Sequence, residues 1–186
     1  MNVKVISLNV GRALLVSALF MFISVIVSVF NGMDSAFGPL AISFIITLIV
    51  GGFPFIFVKK APAITLRDGF LTVVLAWFLS FIFGMLPYVL WGGEFSLINA
   101  WFESVSGFTT TGVTTVRSFS EFSNSLLAWR CLTHWFGGIG VIMLFIVIMP
   151  QMNSGAGYLF NAELPGAVAE RTLPRIKESA ALIVGI

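Results

Sequence analysis

Cysteine and histidine occur once each, at Cys131 and His134, and only 10% of the 186 residues are charged. A single thiol excludes an internal disulfide framework and a multi-cysteine zinc site. Ten basic and eight acidic side chains cannot cover a soluble domain, which carries about 25% charged residues. A net charge of +2 supplies no basic face for nucleic acid. The 58% hydrophobic content excludes intrinsic disorder. No nucleophile, base and orienting residue group together, so an enzyme is not expected unless its site lies in sequence outside this chain. What remains is a chain whose solvent, and first partner, is membrane lipid.

Four uncharged or nearly uncharged apolar runs approach the roughly 20 residues that a helix needs to cross a bilayer. They are Ala13 to Phe30, Phe37 to Val58, Gly69 to about Trp91, and about Leu126 to Met149, with Pro150 as the stop. A fifth run starts near Ser179 and reaches only Ile186. The first run is too long for a signal peptide and lacks a small-residue cleavage site after it, so it is read as a retained span. Lys4, Arg12, Lys59, Lys60, Arg67, Arg171, Arg175 and Lys177 all fall on one side of these spans. That bias places the N-terminus in the cytoplasm. Trp91 and Trp101 then stand near the outer interface as aromatic anchors.

Between the third and fourth spans, Gly92 to Ser125 is long for a connection and not disordered in composition. Apolar residues at 97, 98, 101, 102 and 105 form one face of an amphipathic helix, with Ser96 as its cap. From Leu97 to Gly107 such a helix is roughly 16 Å long, half a membrane. Thr109 to Val116 follows, a β-branched run broken by Gly112 that prefers extended backbone. Two readings are open: a pore loop, or a threonine-rich extracellular turn or hairpin. The preceding half-span and the lack of a partner strand favour the pore loop, because extended backbone at membrane depth must be buried or line a polar path. There the main-chain and threonine oxygens suit a hard monovalent cation, and Gly112 permits a turn forbidden to other residues.

The order of span, short helix, Ser106-Gly107-Phe108-Thr109-Thr110-Thr111-Gly112-Val113-Thr114-Thr115, Trp129-Arg130 and His134-Trp135-Phe136-Gly137-Gly138-Ile139-Gly140-Val141 resembles the first repeat of the Trk/Ktr potassium-transport membrane subunits. Arg67-Asp68-Gly69-Phe70, Ala162-Glu163-Leu164-Pro165-Gly166 and Thr172-Leu173-Pro174-Arg175-Ile176 extend the likeness toward the Trk branch. The resemblance implies an all-α integral membrane fold. Two N-terminal transmembrane helices (1–66) precede one helix, pore loop and helix repeat of potassium-channel-like fold (67–150), a cytoplasmic linker (151–178) and the start of a second repeat (179–186). It implies a filter at Thr109, Thr110, Thr111, Gly112 and Val113, with K+ at Thr110, Thr111 and Gly112, and no organic cofactor. It further implies a homodimer of full-length subunits in the bacterial inner membrane and a cytoplasmic nucleotide-binding regulatory subunit; Arg171, Arg175 and Lys177 are on the side to meet it, or equally are topological charges attracted to anionic lipid. The chain departs from the family in holding one repeat where the family has four, so it is expected to be a fragment.

Arg130, in or near the fourth span, is either functional or a snorkelling charge paired with Glu103 or Glu121. Glu103 either lends charge to an ion entrance or serves as a structural partner of Arg130. Cys131 and His134 share a helical face, but two ligands make a poor metal site. Gly137, Gly138 and Gly140 suit close helix packing better than a nucleotide loop. Three functions compete: potassium uptake through the pore, secondary transport of another solute with a helix broken at Gly51-Gly52-Phe53-Pro54, and a structural membrane protein. Replacement of Gly112 separates them.

Overall fold

A computed structural model describes residues 2–58, 66–93, 95–116 and 122–140. The chain divides into two compact units, Met1–Gly137 and Gly138–Ile186; of the second, only 138–140 are described. The far part of the fourth span, the linker, the start of the second repeat, and Lys59, Lys60, Arg117, Glu121, Arg171, Arg175 and Lys177 lie outside the described residues.

Every regular element among the described residues is a helix: α1 (Val3–Phe30), α2 (Phe37–Phe57), α3 (Leu66–Gly84), α4 (Leu86–Trp91), α5 (Leu97–Phe108) and α6 (124–140). Three stretches are long and apolar enough to cross a membrane, Val3–Phe30, Phe37–Phe57 and Arg67–Trp91. The first starts ten residues before the expected Ala13, because Lys4 and Arg12 lie at one end of the helix and do not interrupt its apolar length. The third is not one rod. It breaks at Met85, where Pro87 cannot donate the next helical hydrogen bond. Tyr88 N–H instead donates to Met85 O at 3.1 Å, and the indole N–H of Trp129 donates to Gly84 O at 3.2 Å.

The three spans run up, down and up. Asn2 N–H donates to the Asp68 carboxylate at 2.9 Å, which brings the starts of α1 and α3 together. At the other end, the Trp91 indole donates to Ser35 Oγ at 3.0 Å. The α1–α2 contact is built from small residues, as expected where lipid outside gives helices no hydrophobic reason to associate. A Cβ on Gly11 would stand 2.6 Å from Gly51 O, and Ser43, Thr47 and Gly51 form the buried stripe of α2. The Ser43 and Thr47 hydroxyls donate to the carbonyls of Pro39 and Ser43, each at 2.7 Å, so no polar atom of the stripe is stranded. Ile45, Ile49 and Ile56 face outward. Because α2 continues through Gly51 to Phe57, the broken helix that secondary transport of another solute would use is absent.

Candidate functional site

The site begins with α5, twelve residues that span about 18 Å at the helical rise. Ser96 caps it as the sequence suggested, its hydroxyl accepting from Asn99 N–H at 3.3 Å. Its orientation reverses that of a water-soluble helix. Leu97, Ile98 and Phe102 are exposed, whereas Ala100, Glu103, Ser104, Ser106 and Gly107 are buried. The small side lets neighbouring helices approach. Ser104 Oγ donates to Phe81 O at 2.8 Å, a Cβ on Gly107 would collide with Thr133, and one on Gly137 would overlap the Phe108 carbonyl. Close packing thus accounts for Gly137.

After Phe108 the chain turns back on the helix end. Thr110 N–H donates to Gly107 O at 3.0 Å, and Thr111 and Gly112 N–H both donate to Ser106 O, at 3.1 and 3.4 Å. The turn places Thr110 at φ 59° and Gly112 at φ 76°. A β-branched residue rarely enters this region, at a cost of about 1–3 kcal/mol that surrounding structure must offset. From Thr111 to Val116 the backbone is neither helix nor strand. Thr109, Thr110, Thr111, Gly112 and Val113 are all exposed.

Side chains replace the missing strand. Glu103 is fully buried; one of its oxygens accepts from Thr114 Oγ1 at 2.5 Å, Thr115 N–H at 2.7 Å and Thr115 Oγ1 at 3.3 Å. Its other oxygen pairs with Arg130 Nε at 3.0 Å. The same guanidinium donates through Nη2 to Gly112 O at 3.2 Å, and Ser106 Oγ donates to Val113 O at 2.5 Å. The carbonyls of Thr110 and Thr111 accept no hydrogen bond among the described residues. Arg130 therefore pairs with Glu103, one of its two expected partners, and also reaches the backbone of the loop. His134 lies alongside: its Nε2 is 3.8 Å from where a Gly112 side chain would begin, and its Nδ1 is 2.8 Å from Arg130 O. Cys131 is exposed, and no group of three metal-ligating side chains occurs among the described residues.

Residues 39–185 match the family model TrkH, a cation transport protein. The chain belongs to this family. It is 37% identical over 124 residues to the Trk system potassium uptake protein TrkH of Escherichia coli K12, covering 66% of this chain and 26% of that protein. Against the TrkH protein of Halomonas elongata it is 32% identical over 185 residues, 97% of this chain and 38% of the relative. The crystal structure of the potassium transporter TrkH from Vibrio parahaemolyticus superposes with a TM-score of 0.79 at 29% identity, covering all of this chain and 36% of that one. The chain thus spans between a quarter and two-fifths of the length of these relatives. Family membership and the three apolar helices make it an all-α integral membrane protein of a transporter family, not an enzyme.

Four participants had no signal in the sequence. Ser106 looked like part of a helix, yet both its carbonyl and its hydroxyl organise the loop. Thr114 and Thr115 resembled the threonines before them but bind Glu103. Asp34, in the α1–α2 loop, accepts from Ser28 Oγ at 2.5 Å, Ser125 Oγ at 2.7 Å and Ser125 N–H at 3.1 Å. Burial pushes the Asp34 carboxyl upward, but the bonds from Ser28, Ser125 and Ala36 outweigh it and hold the group below the ordinary carboxylate value.

Proposed function

We propose that this chain serves potassium uptake across the bacterial inner membrane, with Thr109, Thr110, Thr111, Gly112 and Val113 as one segment of an ion filter. The observation that supports the reading is that Thr110 and Thr111 are exposed, with carbonyls that take no donor among the described residues, on a loop braced from behind by buried Glu103. A dehydrated potassium ion takes such oxygens in place of water. K+ is the substrate, held at Thr110, Thr111 and Gly112, and no organic cofactor is needed.

The family relation supports the wider assignment. The Escherichia coli and Halomonas relatives are named potassium uptake proteins. In this reading 1–66 is an N-terminal helix pair, 67–150 the first pore repeat, 151–178 a cytoplasmic linker and 179–186 the start of a second repeat. The N-terminus is cytoplasmic, full-length subunits pair as homodimers, and a nucleotide-binding regulatory subunit docks on the cytoplasmic side near Arg171, Arg175 and Lys177.

The test is growth at limiting potassium in cells without their own uptake systems, complemented by the full-length subunit or its Gly112→Ser variant. Rescue by the first and failure of the second, at matched membrane levels, is the expected result. Equal rescue by both overturns the filter assignment.

A further inference from the structure

Burying a carboxylate at membrane depth is costly, and Glu103 has no exposed atom. Among the described residues its four hydrogen bonds come from two different places: the loop at Thr114 and Thr115, and the helix α6 through Arg130. Arg130 then adds a bond to the Gly112 carbonyl. The guanidinium therefore spans a carboxylate on α5 and a main-chain oxygen of the loop with two separate nitrogens, a task suited to a planar fork and not to a point-like ammonium. Among the described residues, the Gly112 and Val113 oxygens each accept a bond, while those of Thr110 and Thr111 accept none.

We propose that Glu103 and Arg130 are positioning residues that set ion discrimination: they fix the height of Thr114-Thr115 and the orientation of the Gly112 carbonyl, whose second lone pair is left for the ion. The row of oxygens offered to the ion is thereby held at one spacing. The inference rests on the filter assignment of Thr109 to Val113. Selectivity among monovalent cations depends on the number and spacing of such oxygens, so a bracing pair that touches no ion still governs it. A strut that served the fold alone would change how much protein reaches the membrane and leave the ratio of transported ions unaltered.

Initial K+ and Na+ uptake by the full-length subunit, at measured membrane levels, separates these roles. Arg130→Lys keeps the charge and loses the fork, and its K+/Na+ ratio is expected to fall about tenfold. Glu103→Gln is expected to fall at least as far. Thr114→Val removes one donor to Glu103 without unpairing a charge, and carries the test if the charge variants do not reach the membrane; a severalfold fall is expected. An unchanged ratio in Thr114→Val and in whichever charge variants reach the membrane overturns the proposal. Gly112→Ser distinguishes the two layers. If its ratio collapses while the others keep theirs, the filter stands and the positioning pair falls; if its ratio also holds, the filter assignment itself fails.

Discussion

Glu103 and Asp34 each tie a loop to helix α6, Glu103 through the Arg130 side chain and Asp34 through the backbone and hydroxyl of Ser125 at the helix start. Glu103 is wholly buried and has a cationic partner, whereas Asp34 is half-buried and takes only neutral donors among the described residues. The Asp34 bond also places a negative group at a helix N-terminus, where the exposed N–H groups favour it. The two arrangements divide the labour. Asp34 joins the helical hairpin of α1 and α2 to α6 outside the membrane-spanning segments, while Glu103 shapes the backbone of the loop proposed to meet the ion.

Removing Glu103 is the strongest way to break that contrast. Glu103→Ala leaves the Arg130 guanidinium without its buried carboxylate and is expected to cost about 3–5 kcal/mol, with potassium uptake abolished; thermal unfolding of the solubilised full-length subunit and ion uptake check it. Gly137→Ala comes next. Its Cβ would overlap the Phe108 carbonyl and push the end of α5 away from α6, so an overpacking loss of about 1–3 kcal/mol is expected with a large drop in uptake.

Asp34→Asn is a smaller perturbation that sharpens the comparison from the other side. It is expected to lower stability by about 1 kcal/mol and to leave the K+/Na+ ratio at the wild-type value. Because folding lowers the Asp34 pKa, its carboxylate stabilises the fold fully above the unfolded value of about 3.9 and loses that contribution as pH falls through the folded value. The stability gap between wild type and Asp34→Asn should therefore be constant near neutrality and shrink below about pH 4, as melting curves across pH would reveal. The smallest effect belongs to Asn124→Ala, which removes the bond to Asn31 Oδ1 at 3.0 Å between exposed side chains and is expected to cost about 0.5 kcal/mol or less.

The same two regions show what a sequence discloses. Long uncharged runs, a capping Ser96 and a glycine within a threonine run are local signals, and three of the four expected spans, α5 and the turn at Gly112 followed from them. Glu103 with Arg130 was one of two pairings open to an intramembrane charge. The Asp34 contact joins residues 91 apart, and Ser106 to Val113 depends on a turn at Thr110 that a threonine does not announce. The break at Met85 is explained by Pro87, yet Trp129 as the group that satisfies the freed Gly84 carbonyl is a tertiary fact. The buried face of α5 was the least legible feature. Its apolar periodicity identified a helix, but the side that packs is the one with small and polar residues.

The central claim, that the exposed loop after α5 selects the ion, is tested most directly by the K+/Na+ uptake ratio of the full-length subunit and its Gly112→Ser variant at equal membrane abundance. The account predicts that the variant loses potassium preference while still reaching the membrane. An unchanged ratio, with potassium uptake at the wild-type rate, would contradict it.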